Sequence, residues 1–283
     1  MKSLKIACIG ECMIELQETS PGVTRQTFGG DTLNTAIYCS RLGQELPLQV
    51  DYVTALGQDG FSQRMISFWE SEGVRSDLVQ QHPNELPGLY YIELNKDGER
   101  VFHYWRSAAA AKKCFEYPGS EKILEKLFEY DGVYLSGISL AILNEKSRLA
   151  ILAQLEKLAE KGRQIFFDCN FRPLLWKDKQ LAKEVYQQLY SISSIVFLTI
   201  EEAEILLEVD QKTKACQKLL SLGAREVVLK DGENPCLVCF ADSSITVPGE
   251  FVERVVDTTA AGDSFSATYM VARMFNCSPD LSA

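Results

Sequence analysis

A polar turn of small residues, Thr258-Thr259-Ala260-Ala261-Gly262, runs straight into an apolar-periodic stretch that opens with Asp263-Ser264-Phe265. The pattern predicts a helix from about Gly262 to about Phe275, whose first amides face outward without partners. Such amides attract anions, and small side chains at positions 260, 261 and 262 would let a phosphate approach them. Asp263 falls in the first turn, which sets a proton acceptor beside the anion site. That pairing suits the direction of a hydroxyl at a phosphorus atom. A plain helix cap with a dipole-stabilising aspartate would explain the same residues without chemistry.

Two arginines stand where a carboxylate could be held. One ends Tyr104-Trp105-Arg106, and the other lies in Phe167-Asp168-Cys169-Asn170-Phe171-Arg172-Pro173. Arginine grips a carboxylate through two parallel hydrogen bonds, although an internal salt bridge accounts for either residue equally well. His103, set among aromatic residues, reads as structural. Neither a GxxxxGK[ST] loop nor a GxGxxG fingerprint occurs, so P-loop and dinucleotide-binding mechanisms have no support.

Composition narrows the partners. Twenty-nine basic against 39 acidic residues give a formal charge of -10, which opposes a surface that tracks nucleic acid. An anionic ligand must therefore be held by a few local cations and by backbone amides. No signal segment precedes the first strand, and no run approaches the roughly 18 apolar residues of a membrane span. The nine cysteines are scattered and odd in number, which suits a reducing cytoplasm. Cys236 and Cys239 point to opposite faces of an expected strand, so they do not make a metal site.

The chemistry needs a scaffold, and hydrophobic periodicity describes one. Strands are expected at 4–9, 12–16 and 50–56, with helices at 32–42 and 61–72. From 121 onward, helices at 121–129, 144–161, 178–190 and 211–221 alternate with strands at 132–135, 164–168, 195–198 and 226–229. Such alternation indicates a mainly parallel sheet covered by helices. Segments 236–240 and 244–247 read as an antiparallel edge hairpin. Residues 88–105 break the alternation: two aromatic-rich strands flank Asn95-Lys96-Asp97-Gly98, a strong hairpin signal. With segment 12–28 they are expected to form a small sheet beside the main one.

DTTAAGD at 257–263 resembles the C-terminal signature of the ribokinase-like (PfkB) carbohydrate kinases, and GGDTLN at 29–34 resembles their substrate motif, followed by GQDG at 57–60. GECMIEL at 10–16, LPGLYYIE at 86–93 and YLSGISLAIL at 134–143 look like the branch that phosphorylates a ketodeoxy sugar acid. The likeness spans nearly the whole chain. It implies an α/β three-layer sandwich with a mainly parallel central sheet and a small β-sheet lid, in one domain spanning 1–283. The lid segments are 12–28 and 88–106.

The same resemblance implies ATP and Mg2+ as cofactors, and the exposed face or edges of the small sheet give a reason for a homodimer through the lid. Asp263 would be the general base, and the amides of Ala261, Gly262 and Asp263 the anion hole. Gly30, Asp31 and Asn34 would contact the sugar, Tyr90 and Tyr104 would close over it, and Arg106 and Arg172 would face its carboxylate. Thr199 and Glu202 occupy the family's NxxE positions, with Thr199 where asparagine is usual and Glu202 organising the metal through water. Lys230 and Gly232 match a nucleotide-side KxG turn, in which Gly232 is the firmer assignment because a tight turn requires its backbone freedom. Ala260 stands where glycine is usual, which matters only if the backbone there has a positive φ. Relatives continue past the equivalent of Ala283 with a further helix near the nucleotide base. A neutral-sugar kinase such as a fructokinase or ribokinase, and a nonenzymatic sensor on the same scaffold, remain the rival readings.

Overall fold

The computed structural model describes residues 3–20, 22–94, 100–250, 252–253, 255 and 258–283; the turn expected at 95–98 and Asp257 lie outside the described residues. The chain starts with β1 (Leu4–Ile9), then enters β2 (Met13–Ser20) and β3 (Val23–Gly29) before α1 (Asp31–Gly43) and β4 (Leu48–Leu56). Next come α2 (Gly60–Ser71), β5 (Arg75–Gln81), β6 (Gly88–Leu94) and β7 (Arg100–Trp105). Alternation resumes with α3 (Ser120–Lys126), β8 (Gly132–Ser136), α4 (Gly137–Ile142), α5 (Glu145–Glu160) and β9 (Gln164–Asp168). It continues through α6 (Lys179–Ile192), β10 (Ile195–Thr199), α7 (Ile200–Leu207), α8 (Lys212–Ser221) and β11 (Glu226–Asp231). The edge hairpin β12 (Asn234–Cys239) and β13 (Ser244–Val247) precedes α9 (Ala261–Met274) and the short α10 (Pro279–Ser282).

These strands make two sheets. The larger has the order β13-β12-β11-β10-β9-β8-β1-β4-β5 and is parallel except at the β12 and β13 edge. Its strands are apolar on both faces because helices cover both. In β1, Ala7 and Ile9 pack with residues of α5, α6, α7 and α8, whereas Ile6 and Cys8 pack with α1, α2 and α9. The same alternation sends Cys239 to the first layer and Cys236 to the second, as period-two geometry demands. The smaller sheet has the order β3-β2-β6-β7 and stands beside the open cleft. Among the described residues no helix is long and apolar enough to cross a membrane.

Two strands carry too little hydrophobic pattern to be recognised from sequence. β3 is VTRQTFG, mostly exposed at the edge of the small sheet, and β5 is RSDLVQQ, with only Leu78 and Gln80 buried at the edge of the large one. Both are stabilised by ladder hydrogen bonds to β2 and β4, contacts that a local window does not contain.

The start of α9 bears on stability. Ala260, its N-cap, has φ 60° and ψ 15°, in the left-handed region that disfavours a Cβ. The condition under which alanine matters at this position is therefore met. Replacing Ala260 by glycine should relieve this strain against a smaller gain in unfolded-chain entropy, raising the melting midpoint by about 1–3 °C. A lower midpoint in thermal unfolding would show that the turn carries no such strain.

Candidate active site

A cleft of about 690 Å³ opens at the carboxyl ends of β1, β9, β10 and β11, with the small sheet along one side. It lies at the switch point of the large sheet. From β1 the chain order runs to β4 and β5 on one side, and to β8, β9 and β10 on the other. Loops diverge there, which is why parallel α/β sheets bind ligands at this place. Every residue singled out from the sequence lines this cleft except Gly232.

α1 and α9 bring the two sequence motifs together. Gly30 must lack a side chain, because a Cβ there would sit 2.2 Å from the Glu11 carbonyl oxygen. Asp31 follows and accepts a 2.8 Å hydrogen bond from the Asn170 amide. One turn along α1, Asn34 donates to Asp263 Oδ2 at 2.8 Å. Burial, then repulsion from Asp31, pushes the Asp263 carboxyl up to about 7, while Asn34 and Lys230 pull the other way. A carboxylate held near neutrality is well matched to accept a hydroxyl proton.

Beside Asp263, the anion-hole segment is only partly free. The Ala261 amide donates to the Thr258 carbonyl at 3.1 Å, which among the described residues leaves the Gly262 and Asp263 amides at the helix start for an incoming anion. Lys230 Nζ approaches the same spot, lying 3.7 Å from where a Cβ of Gly262 would stand. It pairs with Asp168 Oδ2 at 2.9 Å, and Ser266 donates to that oxygen at 2.8 Å. Burial draws the Lys230 ammonium down, yet Asp168, Glu202 and Asp263 outweigh it and hold the charge. Gly232 has φ 54°, so the turn does use its freedom. Lys230 reaches the cleft, and Gly232 shapes the turn that follows it.

The opposite wall carries the arginines. Arg106 pairs with buried Glu11, so its charge is already compensated within the chain. Burial raises the Glu11 carboxyl and Arg106 opposes that rise. Arg172 makes no ion pair among the described residues; its Nη1 donates to the Phe171 carbonyl at 3.1 Å. Tyr90 is buried in the small sheet and donates to Glu15, whereas Tyr104 is 54% exposed with its ring 5.9 Å from that of Tyr90. His103 pairs with Glu93 at 3.0 Å and stays outside the cleft.

Thr199 and Glu202 close a capping box on α7. Thr199 Oγ1 accepts from the Glu202 amide, and Glu202 Oε2 accepts from the Thr199 amide at 2.8 Å. Glu202 Oε1 takes the Phe171 amide at 2.7 Å, which ties α7 to the 169–172 loop. Each oxygen of this buried carboxylate thus accepts one backbone amide, which fixes its place beside the cleft. Asp59 in the GQDG segment is likewise a cap, accepting from the Phe61 and Ser62 amides at the start of α2.

Sequence pattern alone does not single out Glu11, Asp168 or Asn170. A usable signal exists for all three: Asp168 ends a parallel strand, and Asn170 and Glu11 each stand two residues beyond one, where α/β sheets place their polar groups. What the sequence withholds is the pairing of Glu11 with Arg106, 95 positions away.

Comparison with known proteins agrees with this geometry. Residues 3–276 match the model of the pfkB family carbohydrate kinases. A 2-dehydro-3-deoxygluconokinase of Dickeya dadantii is 45% identical over 280 residues, covering 97% of this chain and 89% of that protein. Among solved structures, a PfkB protein from Polaromonas sp. JS666 superposes with a TM-score of 0.86 at 22% identity, covering 99% of this chain and 92% of the other. A putative ribokinase from E. coli, in complex with ATP and Mg2+, gives 0.84 at 21% identity, covering 99% and 89%. The three-layer fold, the cleft at the switch point and the match over almost the whole length lead to one conclusion: the chain belongs to the pfkB family of carbohydrate kinases.

Proposed function

We propose that this protein transfers the γ-phosphoryl group of ATP to the C6 hydroxyl of 2-keto-3-deoxygluconate, releasing ADP and the 6-phospho sugar acid. The observation that carries the reading is Asp263, a half-buried carboxyl raised to about 7 at the start of α9, which shares the cleft with Arg172, an arginine that has no acidic partner among the described residues. The 45% identity to a 2-dehydro-3-deoxygluconokinase supports the choice of substrate.

The step balances simply. Asp263 accepts the hydroxyl proton as the C6 oxygen bonds to the γ-phosphorus, and the bond from that phosphorus to the β,γ-bridging oxygen breaks with its electron pair leaving on ADP. The Gly262 and Asp263 amides and Lys230 face the charge on the transferring group. Gly30, Asp31 and Asn34 flank the sugar, and Tyr90 and Tyr104 lie over it from the small sheet, which acts as a lid and excludes water. Arg172 takes the carboxylate end, with the Arg106–Glu11 pair beside it. On the nucleotide side, Thr199 and Glu202 hold the start of α7, while Gly232 sets the turn after β11.

Oxygen donors for magnesium are present, but no cage is: among the described residues no group of three or more His, Cys, Asp or Glu could hold a metal ion alone. That fits magnesium, which is usually held by one or two carboxylates together with substrate phosphates. Glu202, with Asp168 beside it on the cleft, would help hold it, and bound magnesium would offset phosphate charge.

The second sheet supports a homodimer. Its edge strands β3 and β7 leave Val23, Phe102 and Trp105 exposed, Trp105 at 61%. Nine unpaired thiols suit a reducing, cytoplasmic setting.

Four measurements test the proposal. Magnesium-dependent ADP release should be far faster with 2-keto-3-deoxygluconate than with fructose or ribose. Arg172→Ala should lower kcat/KM for the acid by about 100-fold, whereas Asp263→Asn should remove about 100-fold or more in kcat with every sugar. A preference for a neutral sugar, or full turnover by the Asp263 variant, contradicts the reading. The pH dependence of kcat/KM should show an acid limb centred near 7, since Asp263 must be ionised to accept the proton and protonates as pH falls; a limb below about pH 5 would assign the proton elsewhere. Finally, solution mass measured over a range of concentrations should report a dimer that Trp105→Lys weakens, and a concentration-independent monomer would rule the dimer out.

A further inference from the structure

Asn34 was placed among the sugar contacts, yet its side chain is directed at the base. Its Nδ2 donates to Asp263 Oδ2 at 2.8 Å across 229 positions of sequence. The next residue reinforces the link, as Thr35 Oγ1 reaches the Asp263 carbonyl at 3.4 Å. Oδ1 of Asp263 has no hydrogen-bond partner among the described residues. An analogous clamp lies one turn earlier on α1, where the Asn170 amide holds Asp31.

We infer that Asn34 is a positioning residue for the base: its amide fixes the Asp263 carboxylate through Oδ2, favours the ionised form, and leaves Oδ1 as the oxygen that takes the proton. This rests on the reading of Asp263 as the base. The need for such a donor follows from the surroundings. Asp31 on α1 and Asp168 at the end of β9 repel the Asp263 charge, the Tyr134 phenol of β8 lies nearby, and Lys230 on β11 is the cation that opposes them while already paired with Asp168. Asn34 supplies a donor without adding charge. It also couples the two motifs, because the helix that flanks the sugar then orients the group that deprotonates it. An asparagine that served only the sugar would have no effect on how Asp263 ionises in the ligand-free protein.

The test reads that ionisation twice, once without catalysis. Asp263 is protonated more readily in the folded chain than in the unfolded one, so its charge costs stability as pH rises from about 4 to about 7. Asp263→Asn should therefore raise the melting midpoint by an increment that grows across this window and then levels off. In an Asn34→Leu background the upper edge of the window should move up by about one pH unit, since a donor to the charged form has been lost. Single-turnover phosphorylation at saturating sugar should be about five-fold slower at pH 7 in Asn34→Leu and recover by about pH 9. Should Asn34→Leu fail to fold, Asn34→Ser, which is too short to reach Asp263, reads the same window. An unmoved window, with the sugar KM raised and the rate profile unchanged, overturns the inference and leaves Asn34 a sugar ligand only. A shifted window in a protein whose parent does not phosphorylate the sugar acid would count against the substrate reading and not against the clamp.

Discussion

The site depends on keeping one carboxylate basic while burying it among others. Asp31, Asp168 and Glu202 share the cleft with Asp263, and repulsion from Asp31 and Asp168 adds to desolvation in lifting its protonation toward neutrality. Left unopposed, that pressure would favour the protonated form of Asp263 at neutral pH. Asn34 and Lys230 oppose it, and Lys230 is itself held in place by Asp168 and Ser266. The balance resembles other acid–base sites, in which a carboxyl is tuned toward neutral pH by burial and neighbours.

That balance requires residues from α1, β9, β11 and α9 to meet at one point. The parallel part of the sheet provides it, since the ends of those strands face the same way and the order reverses beside β1. The links between the loops are short and specific. Glu202 spends both oxygens on backbone amides and so joins α7 to the loop that carries Asn170 and Arg172. Asn170, at φ 29°, is held in an unfavourable backbone region by that connection and by its bond to Asp31. A strained residue pinned from two sides fixes the backbone of the loop from which Arg172 projects.

The two arginines divide in a way that chemistry alone leaves open. Both have the same side chain and both stand beside motif residues, but Arg106 is neutralised by Glu11, whereas Arg172 has no acidic partner among the described residues. In a chain of net charge -10, an arginine without an acidic partner beside a cleft is an uncommon resource for an anionic ligand. The Glu11–Arg106 pair gives the lid root a polar anchor, with Gly88 packed close against both residues.

Hydrophobic periodicity was enough to establish the alternation of strands and helices, the edge hairpin and the inserted aromatic strands, because buried strands and amphipathic helices write their burial into local spacing. Asp263 and its small-residue turn were legible for a related reason: a helix start with free amides is a local property of a few neighbouring residues. β3 and β5 were not legible, since their stability comes from ladders with distant partners. Nor were the pairing of Arg106 with Glu11, the use of the Ala261 amide by Thr258, the left-handed backbone at Ala260 or the bond from Asn34 to Asp263. Each of these depends on distance or dihedral angle and not on residue type. The residue types present were decided in the sequence; which of them meet, and therefore which charges are free to act, was decided only when the parallel sheet brought its strand ends together.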